Sequence, residues 1–170
     1  MIPEVKTQVS SLLNEVKPHW KKGVDLGVGR GEALPILREY TEYLIGVDYS
    51  EDEIRFAKGY DELIIADIKE YSVPVDVNVV FLFDVIEHLS YQDGIKLLTR
   101  LQVIPSVVIT TPGRYFEEAG RGQRHVSLWS TNDFQKLGYN VEVFRARTVW
   151  FFTMPMILAY RIGVNAFERN

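Results

Sequence analysis

VDLGVGRGE, residues Val24 to Glu32, is the most informative run in this chain. It is the end of an apolar strand carrying an acid at Asp25, followed by Gly27, Gly29 and Gly31 ahead of a helix that begins near Glu32. Glycines at a strand-to-helix turn permit positive φ and let a ligand approach the backbone with no Cβ in the way. The turn therefore reads as a nucleotide-type site. The dinucleotide fingerprint G-x-G-x-x-G would need glycine at 32, where Glu32 stands. The run fits D-x-G-x-G-x-G instead, with the acid two residues before the first glycine.

On either side of this turn, short β-rich runs alternate with helical segments, which implies an α/β fold around a mainly parallel sheet. Upstream, Val5, Val9, Leu12, Leu13 and Val16 recur at helical spacing and Pro18 follows them, giving an amphipathic helix and then a strand over Lys22–Leu26. Downstream, strands are expected at Tyr43–Asp48 (YLIGVD), Leu63–Ala66, Val77–Phe83 (VNVVFLF) and Ser106–Thr110. The run VNVVFLF is unbroken in its apolar character apart from Asn78, as a central parallel strand with both faces covered must be. Helices are expected at Glu51–Lys58, signalled by the capping pair Ser50 and Glu53, and at Tyr91–Leu101. A long polar connection, Pro112 to Trp129, precedes a short helix at Thr131–Leu137 and a strand at Asn140–Arg145. From Thr148 onward a strand, a helix or both fit the pattern. The expected architecture is a three-layer αβα sandwich with a mostly parallel, Rossmann-like sheet of about six to seven strands.

Composition narrows the chemistry. With 170 residues, 46% of them hydrophobic, the chain is expected to form one domain, residues 1–170, with a core large enough to need no staples. It has no cysteine, which excludes a disulfide scaffold, thiolate metal sites and a cysteine nucleophile. The three histidines, His19, His88 and His125, stand far apart in sequence, so no metal site is expected. Net charge is −4, against a broad basic nucleic-acid surface. The halves differ: residues 1–85 hold nine Lys/Arg and sixteen Asp/Glu, residues 86–170 ten and seven. The first residues lack the apolar run of a signal peptide, and the expected location is the cytoplasm. The longest apolar run, VWFFTMPMILAY from Val149 to Tyr160, is too short for the about 20 residues of a membrane-spanning helix. It reads as core or as the seam of a homodimer, with peripheral membrane contact as the weaker alternative.

From Val24 to Thr111 the sequence resembles the class I S-adenosylmethionine-dependent methyltransferases. The resemblance rests on four landmarks in order: VDLGVGRGE, Asp48 closing YLIGVD, Ala66-Asp67-Ile68 after the third strand, and FDVIEHL (Phe83 to Leu89) after the fourth. The last resembles the D-x-x-E-H-L run of small-molecule enzymes such as those of quinone biosynthesis, and HVSLWSTNDFQKLGYNVEVF extends the likeness weakly. The resemblance implies S-adenosylmethionine as cofactor and S-adenosylhomocysteine as product. Their ligands would be Asp25, Gly27, Gly29 and Gly31, Asp48 with neighbouring Tyr49 at the ribose hydroxyls, Asp67 and Ile68 at the adenine, and Asp84 at the methionine end. It divides the chain into an N-terminal helix (1–21), a cofactor-binding half (22–111) and an acceptor-side half (112–170).

The acceptor is less defined. Imidazole is the side chain best suited to general-base work near neutral pH, and His88 follows the fourth strand, though it could equally position the loop. Glu87 reads as a cap of the next turn. Arg114, Arg121 and Arg124, with His125, lie in the long connection and are candidate ligands for a carboxylate or phosphate on a small acceptor, with a solvated loop as the alternative. The (Asp/Asn)-Pro-Pro-(Tyr/Phe) motif of amino-methylating DNA enzymes is replaced by Asp84-Val85-Ile86-Glu87, so DNA is a poor acceptor candidate, while RNA and protein stay open. A non-catalytic S-adenosylmethionine-binding sensor or partner subunit and an NAD(P)-dependent oxidoreductase are the competing readings.

Overall fold

The computed structural model describes residues 2–114, 124–147 and 153–163. Helix α1 (Pro3–Val16) opens the chain, with proline where a first-turn N–H has no partner to lose, and ends on Lys17 in the left-handed region. Seven strands follow: β1 (Trp20–Leu26), β2 (Thr41–Asp48), β3 (Glu62–Ile65), β4 (Val79–Phe83), β5 (Ser106–Pro112), β6 (Asn140–Arg147) and β7 (Thr153–Arg161). Between them lie α2 (Leu34–Leu37), α3 (Glu51–Ile54), α4 (Tyr91–Arg100) and α5 (Thr131–Lys136). The strands form one sheet in the order β3-β2-β1-β4-β5-β7-β6. The first five pair in parallel, and β7 runs antiparallel between β5 and β6. This is the expected Rossmann-like sheet, and the open segment after Thr148 contributes its seventh strand.

The period of two along each strand sorts the core into two layers. Val24, Leu26, Val80, Leu82, Val107, Ile109, Ile157 and Ala159 face Leu97, Leu98 and Leu101 of the α4 region and Phe134 of α5. The alternate residues Leu44, Phe81, Val108, Met156 and Leu158 face Val5, Val9, Leu12 and Leu13 of α1 and Leu37 of α2. Met154, Met156, Ile157 and Leu158 of the apolar run are therefore buried in the core. Trp150, Phe151 and Phe152 lie outside the described residues. No helix among the described residues is long and apolar enough to cross a membrane.

Helix α3 is shorter than the predicted Glu51–Lys58, and the helix after the glycine turn is brief. After α3, Phe56 and Ala57 donate to carbonyls three residues back, a tighter winding than the α-helix, and Gly59 at φ 102° ends it. After the glycine turn, the segment 33–40 mixes three- and four-residue bonds around Pro35, leaving α2 a single turn. Both stretches serve to carry the chain sharply from one strand end to the next start.

Residues 124–130, expected as polar loop, run extended with His125, Ser127 and Trp129 buried. Trp129 packs between Tyr91 and Phe134 at ring separations of 4.9 and 5.4 Å, and its indole N–H donates to the Ser127 hydroxyl at 2.9 Å. Gly94 in α4 makes room for it, since a Cβ there would run into the Trp129 ring and the Ile86 side chain. Alanine favours a helix over glycine by up to about 1 kcal/mol, whereas overpacking a filled core costs about 1–3 kcal/mol. Gly94→Ala is therefore expected to lower stability despite its better helix propensity, read as a fall in the urea midpoint at unchanged m-value.

Candidate functional site

The C-terminal ends of the parallel strands converge on a cleft of about 1000 Å³. Its lining includes residues just past β1 (Gly27, Gly29), at and past β2 (Asp48, Tyr49), past β3 (Asp67, Ile68) and past β4 (Asp84, Glu87, His88), together with Arg124 and His125 from the extended segment. Crevices at this edge are where open α/β sheets bind ligands.

The glycine turn is built as its sequence requires. Gly27, Gly29 and Gly31 have φ of 79°, 52° and 80°. At Gly27 a Cβ would strike Val85, so the turn can approach the β4 loop only without one. At Gly29 a Cβ would meet nothing within 4 Å, which leaves the backbone open to the cleft. Gly31 stands outside the lining of the cleft and packs on Ala57 and on the ring edge of Tyr60.

Asp48 ties the turn to β2. Its Oδ2 accepts from the Gly29 N–H at 2.8 Å and its Oδ1 from the Ser50 N–H at 2.9 Å. Each oxygen keeps a further lone pair for hydroxyl donors. Tyr49 beside it is 65% exposed on the cleft wall. Asp67 starts a turn by accepting from the Lys69 N–H at 2.9 Å and meets the Lys69 ammonium at 3.2 Å. Ile68 next to it is nearly buried.

Asp25 is buried and accepts a 2.6 Å hydrogen bond from the Tyr60 hydroxyl. Burial pushes its carboxyl up to about 7; the Tyr60 hydrogen bond opposes this and the charge of Asp48 adds to it. Tyr60 was not singled out by its sequence, because nothing local marks it. Gly31 and Gly46 both make room for its ring, but that contact exists only in the fold.

Asp84 holds the left-handed region at φ 56°, which aspartate tolerates better than most side chains. Its N–H donates to the Thr110 carbonyl and its Oδ1 accepts from the Thr110 hydroxyl, both at 3.0 Å. Glu87 does not cap the following turn. It is buried at 2% exposure, its Oε2 accepting from the Thr111 hydroxyl at 2.9 Å. Its main-chain carbonyl accepts from the Val126 and Ser127 N–H groups at 2.8 and 3.1 Å, which lays residues 124–129 along the cleft. His88 Nδ1 lies 3.2 Å from the Arg124 carbonyl oxygen. A carbonyl only accepts, so Nδ1 carries the proton and Nε2 is left as the ring's lone-pair atom. The His88 and His125 rings stand 5.0 Å apart, although 36 residues separate the first histidine from Arg124. Arg114 is exposed and outside the cleft lining, and Arg121 lies outside the described residues, so of the three arginines Arg124 is the one placed on the cleft.

Among the described residues, eight carboxyl side chains line the cleft against three of Lys and Arg. Comparisons with known proteins bear on the family and the fold. Residues 24–102 match the family model described as "Methyltransferase domain". No curated protein matches the chain. Among solved structures, the methyltransferase domain of bacterial CtHen1 is 20% identical, with a TM-score of 0.64, over 92% of this chain and 97% of that one. The N-methyltransferase NodS from Bradyrhizobium japonicum, in complex with S-adenosylhomocysteine, is 13% identical with a TM-score of 0.70, over 95% and 86%. Magnesium protoporphyrin IX methyltransferase from Synechocystis, with the same compound bound, is 15% identical with a TM-score of 0.67, over 93% and 82%. The fold is that of the class I S-adenosylmethionine-dependent methyltransferases.

The raised carboxyl of Asp25 has a consequence for stability. An aspartate that titrates near 7 when folded but near 3.8 when unfolded binds more protons in the folded state between those values. Stability contributed by this group is full below about pH 4 and lost as pH rises to about 7. Asp25→Asn is expected to flatten that part of the pH profile and, at pH 8, to exceed wild type by on the order of 1–3 kcal/mol in urea unfolding.

Proposed function

We propose that this chain, with its class I fold, is an S-adenosylmethionine-dependent methyltransferase acting by in-line displacement on a small acceptor. The observation that carries the reading is the arrangement along one acidic cleft of the open Gly29 backbone, the Asp48 carboxylate and the Asp67-Ile68 turn. The residues fit the cofactor. S-adenosylmethionine carries a sulfonium and an ammonium against one carboxylate, a net positive charge suited to a wall of carboxylates. When bound, its sulfonium supplies the methyl carbon and leaves as a thioether with the S–C electron pair.

The chain's own contribution is placement. Asp48 would receive the ribose hydroxyls on its remaining lone pairs, beside Tyr49, and Asp67 with the Ile68 N–H would read the adenine edge. Asp25 and Asp84 would hold the methionine end, and Gly27 and Gly29 would allow its close approach between them. Alignment and exclusion of water then do most of what methyl transfer needs. On the acceptor side, His88 with no ion bound offers Nε2 to a proton on the accepting atom, and Arg124 offers a guanidinium to an anionic acceptor, with His125 beside them. The part of the arginine proposal with structural support is thus Arg124.

Calorimetric titration tests the reading. S-adenosylmethionine and S-adenosylhomocysteine are expected to bind with dissociation constants on the order of micromolar, about −8 kcal/mol. Asp48→Ala should remove that binding, and NADH should give none. A preference for NADH, or no heat with either sulfur compound, would overturn it.

A further inference from the structure

Glu87, His88 and His125 each present a ligand atom, and the three atoms lie within 4.8 Å of one another on the wall of the cleft. We propose that they form a binding site for a divalent transition-metal ion, distinct from the residues assigned to the cofactor. The proposal stands on this geometry alone and does not depend on the methyltransferase reading.

Three features of the structure prepare the group for a cation. The first is tautomer: the Arg124 carbonyl at 3.2 Å fixes the His88 proton on Nδ1, so Nε2 is the nitrogen available to an ion. A ligating histidine characteristically donates its other ring N–H in this way. The second is orientation of the carboxylate. The Thr111 hydroxyl, itself fully buried in β5, holds Glu87 Oε2 at 2.9 Å and so aims the group, as the outer partners of a ligand do. The third is convergence from two parts of the chain. The Glu87 carbonyl takes the Val126 and Ser127 N–H groups, and this main-chain clamp sets His125 beside His88. The backbone clamp thus sets a 4% exposed imidazole near a 2% exposed carboxylate.

Ligands about 2.1 Å from a common ion stand about 3–3.4 Å apart, so closing from the present spacing takes a side-chain movement of about 1–1.5 Å. Two imidazoles and one carboxylate, with no thiolate, select Mn, Fe, Co, Ni or Zn over Ca and Mg, which favour all-oxygen sites. Three protein ligands would leave further positions open, as catalytic rather than structural metal sites do.

The test uses the purified chain stripped with a chelator and titrated with Co²⁺, Mn²⁺ and Zn²⁺ in the absence of any sulfur compound. The expected result is one ion per chain, a Co²⁺ ligand-field spectrum of mixed nitrogen and oxygen ligation, and a rise in melting temperature on loading. Glu87→Gln, His88→Ala and His125→Ala should each weaken binding by at least about tenfold, and Thr111→Val by a smaller factor through loss of the orienting hydroxyl. Circular dichroism of each variant, and the wild-type Co²⁺ spectrum, keep the result readable where a variant folds poorly. Failure of the wild-type chain to take up an ion, or uptake that survives all three ligand substitutions in folded protein, overturns the proposal. Either result leaves S-adenosylmethionine binding to be judged by its own titration.

Discussion

The Asp48 carboxylate bridges the open glycine turn after β1 and the start of the next element after β2, with one oxygen on the Gly29 N–H and the other on that of Ser50. Much of the cleft depends on this bridge. The turn can be open only because three glycines hold positive φ, and an open turn with free amides would otherwise collapse or fluctuate. A single charged acceptor at the end of the neighbouring parallel strand supplies the missing order. Because β1 and β2 pair in register, Leu26 opposite Val47, the carboxylate arrives at the right height without further adjustment.

The opposite wall is organised by a second main-chain tie, from the Glu87 carbonyl to residues 126 and 127, and is anchored by Trp129 over Gly94. The two walls differ in kind. One is assembled from strand ends that are neighbours in the sheet, the other from a turn after β4 and a segment that joins it across the cleft. Titratable groups from both walls line the cleft, among them the buried Asp25, which is bonded to Tyr60 and whose carboxyl desolvation raises to about 7.

What the sequence made legible follows from this division. The parallel strands were readable because each is a short apolar run bounded by turn residues, and the cofactor-side acids because each follows such a run at a fixed place. The lengths of α2 and α3 were not, since the choice between three- and four-residue hydrogen bonds depends on where the chain must turn back. Tyr60 against Asp25 is a contact between residues thirty-five apart, and Glu87 against Thr111 between residues twenty-four apart. No local pattern announces either. The three histidines looked too scattered for joint chemistry, yet the fold sets two of their rings edge to face at 5.0 Å. The polar connection hid an extended segment because its buried residues, His125, Ser127 and Trp129, alternate with exposed ones and only one of them is strongly apolar.

The position of β7 bears on the order of assembly during synthesis. It lies between β5 and β6, and among the described residues β6 pairs with β7 alone. The cofactor-side strands β1 to β5 can pair as they leave the ribosome, each beside one already made. The edge strand β6 has no place to dock until β7 has emerged after it. Helix α1, made before these strands, completes its packing only then, because its cluster includes Met154, Met156 and Leu158 of β7 beside Phe81 and Val108. The nascent chain thus spans its longest loop closure at the end, and one late strand completes the sheet and covers the first helix in the same event.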